Sequence, residues 1–298
     1  MKRYPDFRSG HDQTILTAEE VKYVETKVIE SVHAQLVARK LFPTRNINDA
    51  GARFYIYYDE DDPSVAVLTM DGKAQNDDYP LKTEHEVKLP VIHKTFLLQW
   101  RDIASSRRVG ASLLDDSIRT ATRRVAETED RLLLSGECTT WSAYGIEGLM
   151  TATGRSAGAS AGNWPANAIA DVNVGRAALQ ASGYVGREPI LIAPPALVKC
   201  LDGAIANTEI TYRTFLLKNN LVSAIMESTN VYAADCGQDS VGLVVPGEGN
   251  FYAVQGLAPT TNLWEDKMGN VHGVVREIIA PVIGRASSIY EITDVVCA

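Results

Sequence analysis

The sequence has little of what usually announces an enzyme, a membrane protein or a nucleic-acid coat. No stretch approaches the roughly 20 apolar residues needed to cross a bilayer. Met1-Lys2-Arg3-Tyr4-Pro5-Asp6 has no apolar run behind its basic residues, so no secretory leader is expected. There are 4 cysteines, Cys138, Cys200, Cys236 and Cys297, far apart and without a C-x-x-C pair. Zinc-ligand spacing is therefore missing, and the four are read as reduced thiols in a cytoplasmic setting. Positive charge is also scarce: Lys and Arg number 29 against 37 Asp and Glu, a net charge of −8. That excludes coating nucleic acid as the main task, because phosphate neutralisation needs clustered cations. It leaves open a container that encloses nucleic acid without gripping it. A phosphate loop, a dinucleotide fingerprint and an internal repeat are absent too.

What is present is an ordinary globular balance. The chain has 298 residues, 45% hydrophobic and 22% charged, enough for one large domain or two smaller ones. Residues 1–16 read as a polar arm. Thr17-Ala18-Glu19-Glu20 is a capping box, and Val21, Val24, Val28, Val32 and Leu36 follow as one helical stripe. Pro43 ends that helix. Residues 53–97 change to a strand period. Arg53-Phe54-Tyr55-Ile56-Tyr57-Tyr58, Val65-Ala66-Val67-Leu68 and Glu84 to Ile92, continued by His93 to Phe96, predict a long hairpin with a returning strand. Such a hairpin cannot bury both faces on its own chain, so a neighbouring subunit is the simplest cover.

A short helix is predicted from about Leu97 to Arg108 and a longer one from Leu113 to Leu134. Leu114, Ile118, Ala121, Val125 and Leu132 form the stripe of the latter, with Asp115 and Asp116 in its first turn. Residues 151–163 are small and polar and read as a flexible loop. Beyond them a helix near Asp171–Ser182, a strand at Pro189–Ala193 and a helix opened by Pro194-Pro195 are expected. Strands are then expected at Val231–Ala233, Val241–Val245, Phe251–Val254, Val271–Ile279 and Ser288–Ile292. The fold class is α+β with a mixed sheet after the long helix.

Several patterns imitate chemistry. Gly154-Arg155-Ser156-Ala157-Gly158 and Gly158-Ala159-Ser160-Ala161-Gly162 both match G-x-S-x-G. A nucleophile elbow needs a buried strand before the Ser and a helix after it, and a low-complexity loop offers neither. Glu84-His85-Glu86 with His93 hints at a metal, but on a strand His85 takes the face opposite the two Glu. His11, His33 and His272 are scattered. Asp59-Glu60-Asp61-Asp62 lacks the alternate spacing and Gly of a calcium loop and reads as a solvated turn. No catalytic residue, metal or cofactor is expected.

The order of elements resembles the HK97-like shell proteins, the superfamily of tailed-virus major capsid proteins and encapsulin nanocompartment shells. The likeness is carried by Val37-Ala38-Arg39-Lys40-Leu41-Phe42, by Leu98-Gln99-Trp100 with Ile103, by Ile118 to Asp130 and by Gly145-Ile146-Glu147-Gly148-Leu149. It spans about residues 17–150. The resemblance implies an N-terminal arm and helix (1–42), an extended hairpin or E-loop with flanking strands (43–97) and a P-domain with a spine helix (98–165). A largely A-domain region (166–250) and return strands that complete both domains (251–298) would follow. It implies a non-enzymatic subunit of an icosahedral homo-oligomer, built of pentamers with or without hexamers and remote from membranes. The leading expectation is the major capsid protein of a tailed virus or provirus, enclosing DNA, assembled in the host cytoplasm and served by scaffolding, portal or decoration proteins. The alternative is a cytoplasmic encapsulin shell around a cargo enzyme. A soluble α+β enzyme is the reading from another class. Phe54, Tyr55, Ile56, Tyr57, Tyr58, Val65 and Val67 are the expected inter-subunit contacts of the E-loop. Val28, Val32 and Leu36 either pack on the spine helix or help dock cargo. A covalent link from Lys73 to Asn207, Asn219 or Asn220, as in some such capsids, is not expected.

Overall fold

The computed structural model describes residues 37–60, 70, 82–109, 113–138, 144–206, 208–231, 237 and 239–297. The helix expected from Thr17, with Val28, Val32 and Leu36, lies outside the described residues. So do Val65 and Val67, Lys73, Asn207, His11, His33 and Cys236.

Three sheets organise what is described. A four-stranded sheet has the order β1 (Thr44–Asn46), β9 (Phe251–Glu265), β10 (Val271–Ile283), β4 (Val91–Leu98). A five-stranded sheet has the order β5 (Ser156–Ala159), β11 (Ile289–Thr293), β8 (Val241–Val244), β6 (Ile190–Ala193), β7 (Ala224–Glu227). The third is the hairpin of β2 (Phe54–Glu60) and β3 (Lys82–Lys88). The helices are α1 (Ala38–Leu41), α2 (Trp100–Val109), α3 (Leu113–Ser135), α4 (Ala168–Ala181), α5 (Pro195–Cys200) and α6 (Tyr212–Lys218).

The spine helix α3 lies across one face of the four-stranded sheet. Its stripe of Ile118, Ala121, Val125 and Leu132 is buried with Val275 and Ile279 of β10 and Ile92 of β4. The next helical face, Ala126, Leu133 and Leu134, is equally dry, so α3 is apolar over more of its girth than the stripe alone suggests. Its outer side carries Arg123 and Arg124, both paired with Glu127, as helical spacing allows. The start of α1 is seated on this helix: the backbone N–H groups of Val37 and Ala38 donate to Asp130 Oδ1 at 3.0 and 2.8 Å. A second core joins α4 to the five-stranded sheet, with Trp164, Val172, Leu179, Leu191, Leu243 and Ile292 fully or almost fully buried.

Some boundaries differ from the sequence reading. The short helix starts at Trp100, not Leu97, because Leu97 and Leu98 pair with His272 and Val271 of β10. The strand expected to run from Glu84 through Phe96 is two strands. Pro90, which lacks an N–H, marks the place where the chain leaves the hairpin and enters the four-stranded sheet. The loop expected at 151–163 contains β5, which runs parallel to β11.

The cysteine reading is corrected. Cys200 and Cys297 form a disulfide, with Cα atoms 6.1 Å apart across 97 residues of sequence. Cys138 is also disulfide-bonded. Sequence distance hid the first pairing: Trp164 N donates to Val296 O at 2.8 Å, which holds the chain end beside α5.

Candidate functional site

The G-x-S-x-G matches are structural. Ser156 lies on β5, and the hydroxyl of Ser160 donates to Asp171 Oδ2 at 2.6 Å. The same Asp171 accepts from Ala161 N and Trp164 Nε1, so it fastens the loop to α4. Arg155 is drawn inward to the buried Glu291 of β11, donating from Nε at 2.8 Å. His85 stacks on Tyr57 with ring centres 5.2 Å apart, facing away from Glu84 and Glu86. Among the described residues no three His, Cys, Asp or Glu side chains gather as metal ligands. None of their helices is long and apolar enough to cross a membrane.

The hairpin is the more informative feature. Alternation gives it two unlike faces. Tyr55, Tyr57 and Val87 turn inward and pack on Leu89, Tyr252, Val254, Ile278, Ala280 and Val282. Tyr55 meets Tyr252 edge-on at 6.4 Å, and the Arg45 guanidinium lies 4.0 Å over the Tyr252 ring. Tyr57 donates its hydroxyl to Ile283 O at 3.3 Å, and its burial raises its pKa. Lys88 Nζ reaches Tyr144 O at 2.8 Å. A cavity of about 400 Å³ lies between the hairpin and the 144–147 turn, lined by Tyr57, His85, Lys88, Tyr144 and Glu147.

The outward face of the hairpin has no cover among the described residues. Phe54, Ile56 and Tyr58 are 51%, 49% and 62% exposed. Glu86 and Glu84 stand opposite Ile56 and Tyr58 on the paired strand. Of the five aromatic-strand residues expected as contacts, these three face out, while Tyr55 and Tyr57 are used by the chain itself.

A second uncovered surface was not anticipated. The sheet face opposite α3 is covered by the hairpin only at one end. At the other end His272 lies between Leu97 and Trp264, its cross-strand partners, and stacks on Trp264 at 5.6 Å. Leu97 and Trp264 are about half exposed, as is Trp100 nearby; Val91, also half exposed, lies at the hairpin end of β4 opposite Ile278. His93 and Arg276 face each other across the same surface. The alternation of Leu263 inward with Trp264 outward was available in the sequence, but the predicted strand stopped at Val254.

A family model described as "Encapsulating protein for peroxidase" (Linocin_M18) matches residues 10–257. The type 1 encapsulin shell protein EncA of Myxococcus xanthus is 27% identical over 192 residues. That alignment spans 64% of this chain and 65% of the relative, a little under two thirds of its length. Among solved structures, the virus-like particle of Pyrococcus furiosus superposes with a TM-score of 0.65 at 15% identity, covering 92% of this chain and 99% of that one. The capsid of Myoviridae phage XM1 gives 0.66 at 11% identity over 85% and 89% of the two chains. The SrpI encapsulin of Synechococcus elongatus gives 0.55 at 12% identity over 86% of each. At these identities the structures speak to fold alone, and they agree on the HK97-like α+β shell fold. With the family model covering most of the chain, the protein belongs to the encapsulating-protein family, a group of structural shell proteins rather than enzymes.

Proposed function

We propose that this chain is the subunit of a self-assembling icosahedral shell of the encapsulin type, a cytoplasmic compartment closed around a protein cargo. The observation that carries self-assembly is the pair of apolar surfaces left uncovered by the described residues. Contiguous exposed apolar patches mark interaction sites in soluble proteins. The hairpin face (Phe54, Ile56, Tyr58) and the free end of the sheet (Leu97, Trp264) are different surfaces. A contact between them joins unlike patches, the head-to-tail kind that builds rings and closed cages. In this reading the hairpin lies over a neighbouring subunit, with Val65 and Val67 farther along the same arm.

The compartment reading stands ahead of the viral one because the family match and the curated relative are both encapsulins. The likeness to phage capsids is one of fold. The family's description points to a peroxidase as the class of cargo.

Negative-stain imaging of the recombinant full-length chain is the test. Uniform hollow polyhedra are expected, and a discrete small oligomer under all conditions would overturn the proposal. The triple substitution Phe54→Ser, Ile56→Ser, Tyr58→Ser is expected to leave a folded chain that no longer closes shells. Nuclease-resistant DNA inside particles from the native source would move the assignment to a viral capsid, and a co-purifying enzyme would support the compartment.

A further inference from the structure

Two carboxyl groups are sealed inside this protein around one guanidinium. Glu129 of α3 and Glu277 of β10 are both 0% exposed. Arg39 of α1 donates from Nε to Glu129 Oε1 at 2.6 Å and from Nη2 to Glu277 Oε1. Gln255 of β9 donates to the same Glu277 oxygen at 2.9 Å. Among the described residues these four side chains are the charged and polar groups that meet there. Asp130, next on α3, faces elsewhere: it accepts from Val37 N, Ala38 N, Ser228 Oγ and Asn230 Nδ2. Lys40 is exposed.

With both carboxyls ionised, this dry group carries one uncompensated negative charge, among the most costly defects a core can hold. A second observation points the same way. Glu129 Oε2 and Glu277 Oε2 are buried without a hydrogen-bond partner among the described residues. The two carboxyls are brought together by the same Arg39 guanidinium. Two carboxylates are acceptors only and cannot satisfy each other, whereas one added proton makes a donor of either.

We propose that Glu129 and Glu277 form a proton-binding site, in which one shared proton locks α1 onto the spine helix and its loss in alkaline solution loosens residues 37–42. The proton brings the group to neutrality and turns one acceptor-only carboxylate into a donor. Burial, then the charge of Glu277, pushes the Glu129 carboxyl up to about 9 from its ordinary 4.5, and burial raises Glu277 as well. The titration belongs to the pair rather than to one residue. Its sign follows from linkage. Between about 4.5 and 9 the folded chain keeps a proton that the unfolded chain has lost, so stability falls as pH rises across that window. The four-residue α1 is the part that yields, because it is the shortest of the elements that meet here, whereas α3 and β10 are long and pack on each other.

The test uses the full-length protein and does not depend on shell formation. Infrared difference spectroscopy is expected to show a buried carboxylic acid at neutral pH that disappears above about pH 10 and is missing in both Glu129→Gln and Glu277→Gln. Relative to Glu129→Gln, the wild-type folding constant is expected to drop with pH, by at most about tenfold per unit. Tryptic cleavage after Arg39 or Lys40, read by mass, is expected to accelerate at alkaline pH in the wild type only. The absence of an acid band from the wild type at neutral pH overturns the proposal, even if neither variant folds. Persistence of the band in both variants overturns it too, as do parallel pH profiles for wild type and Glu129→Gln.

Discussion

At the scale of single residues, the turn after the spine helix is the least forgiving place. Gly136 and Gly148 touch backbone to backbone: a Cβ on Gly148 would sit 2.1 Å from Gly136 N, and one on Gly136 would sit 2.2 Å from Gly148 N. Gly136 also has φ +59°, which a side chain resists. Gly148→Ala is expected to cost about 3 kcal/mol or more, because the atoms in the way belong to the backbone. A urea midpoint, or loss of soluble protein, checks this. Arg155 offers a second test. Its partner Glu291 is 1% exposed. Arg155→Met would strand that carboxylate, with an expected loss of about 3–5 kcal/mol. The matched pair Arg155→Met, Glu291→Leu should recover much of the loss, read by thermal melting. The glycines of this turn were visible in the sequence as Gly145-Ile146-Glu147-Gly148. Their reason was not, since it requires Gly136 to arrive from the end of α3.

At the scale of elements, legibility followed how much each segment decides for itself. The spine helix was readable because its apolar stripe of Ile118, Ala121, Val125 and Leu132 agrees with its burial. β2 and β3 were readable from aromatic and β-branched content. Period 2 also separates Phe54, Ile56 and Tyr58 from Tyr55 and Tyr57, although all five were expected to be contacts. β5 was not readable: Ser156, Ala157, Gly158 and Ala159 have no strand preference and are extended because β11 lies beside them. The outer part of β9 was hidden by Pro259, at a shift of register, and by the polar residues Thr260, Thr261 and Asn262, which are held in the sheet by β10. The Cys200–Cys297 link also belongs here, since it fastens the tail behind β11 to α5. Reducing it, or Cys297→Ser, is expected to cost about 2–4 kcal/mol, seen as a lower melting temperature under reductant. Equal melting with and without reductant would mean that the tail is held by its hydrogen bonds alone.

At the scale of the whole molecule, two cores meet around strands that arrive from opposite ends of the chain. The four-stranded sheet combines β1 and β4 with β9 and β10, and the five-stranded sheet closes on β11. A truncation before β9 would therefore remove the centre of one sheet and a central strand of the other. Loss of folded protein is expected, not a stable N-terminal fragment, and circular dichroism of residues 1–250 checks it. The fold class was accessible from sequence because long-helix and strand-rich stretches occur in a distinctive order. Coverage of the sheet was not, since the hairpin hides one end of its outer face and leaves the other uncovered by the described residues.

The junction at Leu89-Pro90 has a mechanical consequence. The chain leaves the hairpin and passes straight into β4, whose eight residues are hydrogen-bonded in antiparallel register to β10. A tug on the hairpin along that line loads the rungs of the ladder together instead of one after another. Force entering at the arm would be borne as shear by the sheet and shared with the spine helix packed beneath it.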